Sequence, residues 1–199
     1  LACSHCRAEA LAQRDPEELS TAEAKDLLRK MRGFGDHLPH LVLTGGDPLK
    51  RPDFFALLEY GARLGLRMSV APSGTNALTQ DVLHRFKTIG VESMSLSLDG
   101  STPERHDDFR GVPGCFARTI EAARHARDER LALQINTLVT AETEADLPEI
   151  FRLVGGLEPK RWSLFFLIAV GRGYGLRQVT PERCEAIHQW LYDQSKNAP

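Results

Sequence analysis

Cys3 and Cys6 stand three residues apart in Cys3-Ser4-His5-Cys6, a spacing that lets two thiolates face one metal or redox centre. On its own this pair leaves three readings open: half of a zinc site, a thioredoxin-type dithiol, or part of an iron–sulfur site. Cys115 and Cys184 have no partner at a comparable spacing and fall in helical sequence, where ordinary buried thiols are expected. Four further segments place small, polar or charged residues directly after apolar runs: Gly45-Gly46-Asp47-Pro48, Pro72-Ser73-Gly74-Thr75-Asn76, Ser97-Leu98-Asp99-Gly100 and Val170-Gly171-Arg172-Gly173. Taken singly, the first is a tight turn and Asp99-Gly100 a turn pair. Asn136 is more telling, because an amide inside the apolar run Ile135-Asn136-Thr137-Leu138 needs partners that a ligand hydroxyl would provide. No Gly-Lys-Ser/Thr follows Gly45, which excludes a P-loop, and Gly171-Arg172-Gly173-Tyr174-Gly175 lacks the dinucleotide spacing. His37, His40, His84, His125 and His188 show no metal-ligand grouping, and His106 reads as a surface residue.

These segments need a scaffold. Short apolar runs predict strands at Leu41–Thr44, Leu66–Ala71, Glu92–Leu98, Leu131–Val139 and Trp162–Ile168. Amphipathic stretches predict helices at Thr21–Arg32, Asp53–Leu64, Thr79–Ile89, Cys115–Glu129, Ala145–Val154 and Pro181–Tyr192. The alternation is that of parallel βαβ units, so the expected fold is α/β, a partial (β/α)6 TIM-like barrel forming one domain over residues 1–199. The opening helix has no strand before it, so a first strand is expected ahead of Leu1. In such folds ligands gather at the carboxyl ends of the strands, where every segment named above falls.

In that order the segments resemble the radical S-adenosylmethionine (SAM) superfamily along nearly the whole chain. Leu1-Ala2-Cys3-Ser4-His5-Cys6 is similar to the last six positions of the family's C-x-x-x-C-x-x-C motif, whose first cysteine would fall two residues before Leu1. The resemblance implies that Cys3 and Cys6 are two of three ligands of a [4Fe-4S] cluster with one iron open to SAM. It further implies one-electron cleavage of SAM to a 5′-deoxyadenosyl radical that takes hydrogen from the substrate. Gly45-Gly46-Asp47-Pro48 resembles the family's G-G-E-P motif with Asp for Glu, which implies Gly45, Gly46 and Asp47 at the methionine ammonium. His106-Asp107-Asp108-Phe109-Arg110 resembles an H-D-x-x-R element and implies Arg110 as partner of the SAM carboxylate. By the same resemblance His5 packs by the adenine, Ser97 touches SAM, Asn136 meets the ribose, and Val170 opens a segment whose backbone holds adenine.

The subgroup most resembled builds haem and other tetrapyrroles or matures peptides. It implies a tetrapyrrole-like or peptide substrate and an electron donor such as flavodoxin or ferredoxin. A second reading keeps the barrel as a non-catalytic SAM- or nucleoside-binding module without a complete cluster, and without the first cysteine the chain itself is expected to be inactive. With 25 basic and 27 acidic residues well mixed, the net charge of -2 gives no field for nucleic acid or an anionic membrane. No apolar run is long enough for a spanning helix, and a cytoplasmic location is expected.

Overall fold

The computed structural model describes residues 3–7, 9–10, 13–35 and 37–196; Leu1 and Ala2 of the cysteine motif lie outside them. Helix starts follow from short oxygen-bearing side chains. Ser20 opens α1 (Thr21–Met31): its hydroxyl accepts the Glu23 amide while the Glu23 carboxylate accepts the Ser20 amide at 2.8 Å. Thr79 opens α3 (Gln80–Ile89), Thr102 opens α4 (Pro103–Arg110) and Thr180 opens α7 (Pro181–Ser195), each accepting an amide of the first turn. The remaining helices are α2 (Phe54–Arg63), α5 (Cys115–Asp128) and α6 (Leu147–Gly155). Five strands alternate with them: β1 (His40–Leu43), β2 (Arg67–Val70), β3 (Ser93–Ser97), β4 (Leu133–Val139) and β5 (Arg161–Phe166).

The strands form one sheet in the order β1-β2-β3-β4-β5, and every neighbouring pair is parallel, so each chain reversal is made by helical crossover. This is the α/β class and strand pairing that the apolar periodicity predicts. The helix that the periodicity misses is α4, which contains the H-D-x-x-R segment His106–Arg110. Six of its eight residues are polar or charged, the others being Pro103 and Phe109, and it buries only His106, so no apolar stripe announces it. Its signals are Thr102-Pro103 at the start and Gly111 in the left-handed conformation at the end.

One face of the sheet carries the core: Met68, Val70, Met94, Leu96 and Ile135 are at most 1% exposed and pack against Leu58, Phe86, Ala123 and Ile150 from the helices. The opposite face carries Ser69, Ser93, Ser95, Ser97, Gln134, Asn136 and Ser163. Strict alternation of buried and half-buried positions along β3 and β4 separates the two faces. Side chains on the polar face bond to one another, with Ser69 Oγ 2.6 Å from His40 Nε2 and 2.7 Å from Ser93 Oγ, so their burial is compensated. Among the described residues no helix is long and apolar enough to cross a membrane.

Candidate functional site

The polar face leads up to the carboxyl ends of the strands, where a cavity of about 460 Å³ opens. Each strand delivers residues to it: Gly45 and Gly46 after β1, Ser73 and Gly74 after β2, Ser97 from β3, Asn136 from β4, and Leu167 and Ile168 after β5. Cys3, His5 and Cys6 close one side, and Arg110 reaches in from α4. Eight of the ten residues singled out from the sequence therefore line one cavity.

Asp47 and Val170 do not line it. Asp47 is 8% exposed and faces inward from the turn: its carboxylate accepts Leu49 N at 3.2 Å, Ser73 N at 3.5 Å and Thr75 Oγ1 at 2.7 Å. These bonds tie the loop after β1 to the loop after β2 and hold Gly45 and Gly46 in the cavity wall. Val170 begins a short 3-10 turn, Gly171–Gly175, that lies behind the cysteine loop.

The cysteine loop is fixed from two directions. On one side is α4: Ser4 N and Ser4 Oγ both donate to Phe109 O, His5 stacks on Phe109 with ring centroids 4.7 Å apart, and Arg110 Nη1 lies 3.8 Å from Cys3 Sγ. Arg110 is anchored in turn by an ion pair of 2.6 Å to Asp99, whose other oxygen accepts Leu138 N at 2.7 Å from β4. Asp99 is more than a turn residue; it transmits the position of the β3–β4 seam to the cysteines. His106, expected at the surface, is instead fully buried, because its Nδ1 accepts Asp99 N at 3.1 Å and its ring meets Phe116 edge-on. On the other side Arg172 donates from Nε to Cys3 O at 3.0 Å and from Nη1 to Ala10 O at 3.2 Å.

Burial lowers the pKa of His5 to about 4, with the Arg110 charge adding to it, so His5 is a neutral ring here. Its Nδ1 is buried without a partner among the described residues. Asn136 is half-buried rather than enclosed, and its Oδ1 accepts Gln134 Nε2 at 2.8 Å.

Arg7, Arg172 and Phe165, to which the sequence assigns no role, also line the cavity, as does Cys115, expected from the sequence to be an ordinary buried thiol. Arg7 directly follows the cysteine motif and Arg172 sits in the loop after β5, so position on the fold was the available signal. Burial raises the pKa of Cys115, 2% exposed at the first turn of α5, and keeps it a thiol.

As a donor set the cavity suits an anionic, thiolate-bound group. Three arginines and no carboxylate side chain line it, and Cys6 Sγ accepts Ala10 N at 3.4 Å. Cys3 and Cys6 are two thiols, and among the described residues no third Cys, His, Asp or Glu converges on them to complete a metal site. A cluster held here takes its further protein ligand from outside this group.

Comparison with known proteins agrees with the architecture. Residues 1–154 match the family model described as the Radical SAM superfamily. The AdoMet-dependent heme synthase of Oleidesulfovibrio alaskensis is 38% identical over 195 residues, 97% of this chain and 50% of that protein. The AdoMet-dependent heme synthase of Methanosarcina barkeri is 36% identical over 198 residues, 100% of this chain and 56% of that protein. The chain thus spans about half the length of these curated relatives. Among solved structures, Streptococcus suis SuiB bound to S-adenosylmethionine superposes with a TM-score of 0.82 over 98% of this chain and 44% of that one. At 16% identity the likeness is one of fold, that of an α/β TIM-like barrel.

Proposed function

The chain belongs to the radical SAM superfamily, and on that premise we propose that it is the catalytic barrel of an enzyme that cleaves SAM reductively to act on a tetrapyrrole. The observation that carries the reading is the convergence of Cys3, Cys6, Gly45, Gly46, Ser97, Arg110 and Asn136 on one cavity whose charged lining is wholly cationic. Cys3 and Cys6 would supply two of the three thiolates of a [4Fe-4S] cluster, and SAM would lie across the strand ends. When bound, the cluster and SAM supply an electron and a 5′-deoxyadenosyl radical that takes a hydrogen atom from the substrate.

The protein's own share is positioning and charge. The backbone at Gly45 and Gly46, held by Asp47 behind it, offers polar groups with no side chain in the way. Arg110, fixed by Asp99, places a cation beside Cys3 and offsets negative charge on the thiolates. Asn136 and Ser97 offer neutral hydrogen-bonding groups suited to a ribose. Phe165, Leu167 and Ile168 form an apolar side of the cavity, and with Arg7 nearby they suit a flat hydrophobic ring that carries carboxylates. That pairing, together with the relatives at 36% to 38% identity, favours a tetrapyrrole over a peptide. A small electron-transfer protein such as flavodoxin or ferredoxin would deliver the electron.

The test is anaerobic iron and sulfide reconstitution of the full natural protein, reduction by dithionite with SAM, and assay for 5′-deoxyadenosine. Its formation in the wild type and its loss in Cys3→Ala and Cys6→Ala are expected. A folded protein that binds SAM but takes up no cluster would refute the proposal and favour the non-catalytic binding module.

A further inference from the structure

We propose that Arg172 is a positioning residue that locks the cysteine loop and contributes a positive charge to the cluster site. The inference rests on Cys3 and Cys6 being cluster ligands, and it concerns a residue outside the cysteine and glycine motifs.

Four features of the turn after β5 point the same way. Arg172 spends two arms of its guanidinium on the loop, bonding the carbonyls of Cys3 and Ala10, which bracket Cys6. Its own backbone amide donates to Cys6 O at 3.3 Å. Gly171 has a φ of +56°, and a Cβ there would stand 2.9 Å from Cys6 O and 2.8 Å from Arg7 O, so the turn lies flush against the loop. Nη2, the third arm, is buried, has no partner among the described residues, and belongs to a side chain in the cavity wall. A buried donor without an acceptor costs free energy, and negative charge on the nearby cysteine loop would lower that cost.

The alternative is a structural brace that only joins two ends of the fold. A brace would make Arg172 matter to the stability of the empty protein alone. A fork that sets the cysteine carbonyls and also places its charge in the wall beside them makes it matter to how tightly the cluster is kept and how readily it is reduced. Cluster potentials respond to nearby charge, and a cation stabilises the more negative, reduced state.

The full natural protein and its Arg172→Gln and Arg172→Lys variants, reconstituted anaerobically, should be compared by two readouts besides turnover. These are the rate at which a ferrous chelator strips iron and the cluster midpoint potential from an EPR-monitored titration. Arg172→Gln is expected to lose iron about tenfold faster, in line with other changes to groups supporting metal ligands, and to shift the midpoint to more negative values. Arg172→Lys keeps the charge but not the fork, so iron loss is expected to be fast while the midpoint stays close to that of the wild type.

An Arg172→Gln protein matching the wild type in both readouts overturns the inference, even if its metal-free form melts lower. Should Arg172→Gln fail to fold, Arg172→Lys decides, and iron loss at the wild-type rate overturns the inference. A wild type that takes up no cluster overturns this inference and the proposed function together, whereas a loaded wild type with indifferent variants overturns this inference alone.

Discussion

His106 should make the barrel acid-sensitive in a way that one substitution removes. Burial, with the Arg110 charge adding to it against the opposing pull of Asp99, lowers its pKa from 6.5 to about 4, and the ring is 0% exposed. The unfolded chain therefore takes up a proton near pH 6.5 while the folded one resists until about pH 4. Between those values the unfolded state binds more protons, so stability is full above the unfolded pKa and is lost as pH falls. A shift of this size, at 1.36 kcal/mol per unit, amounts to about 2 kcal/mol lost by pH 5 and about 3 kcal/mol by pH 4. His106→Asn keeps an acceptor for Asp99 N but cannot titrate; the smaller side chain costs packing against Phe116 by the same amount at every pH. The assay is urea unfolding of the metal-free protein at pH 7 and pH 5. Wild type should lose about 2 kcal/mol more than His106→Asn over that interval, since other titrating groups cancel in the difference. Losses that agree to within about 0.5 kcal/mol would show that the buried ring is not what resists protonation.

Asp99→Ala leaves Arg110 buried beside Cys3 without its counter-charge and should cost about 3–5 kcal/mol in urea unfolding. Phe86→Ala, at a position with 0% exposure in the main core, should cost about 3–5 kcal/mol by the same assay and leave SAM binding measurable wherever the protein folds. Gly171→Ala puts a Cβ against Cys6 O and Arg7 O at a left-handed position, so iron content after reconstitution should fall while the circular dichroism spectrum of the barrel is kept.

Much of this architecture is legible in the chain because local and global signals agree. Runs such as Met94-Ser95-Leu96-Ser97 alternate apolar and polar residues at a period of two, and the structure turns that alternation into core and polar faces. Four helices carry caps that can be read directly, Ser20 before α1 and Thr79, Thr102 and Thr180 before α3, α4 and α7, whereas α2, α5 and α6 begin without a side-chain cap. Helix α4 is hidden because its job is to hold the cysteine loop rather than to cover the core; a helix with one buried side chain has no amphipathic period to detect. The same reason hides Arg172 and Asp99. Their meaning lies in contacts across 169 and 39 residues of sequence, and such pairs have no local pattern. Asp47 shows the converse: the motif position was plain, but only the fold reveals that its carboxylate braces two loops behind the cavity wall.

The clamp on the cysteine loop also sets an order of assembly. The cysteine loop leaves the ribosome before the residues that fix it: Ser4 is held by Phe109, and Cys3 by Arg110 and Arg172, up to 169 residues later. Each strand pairs with the one synthesised just before it, so the sheet can grow by accretion as the chain emerges. The cysteine loop cannot join that progression, because the entropy of closing so long a loop is recovered only when the turn after β5 arrives. The thiols are therefore made before the sheet and ordered after it, and a nascent chain stalled before residue 172 would carry a nearly complete sheet with an unsecured cysteine loop.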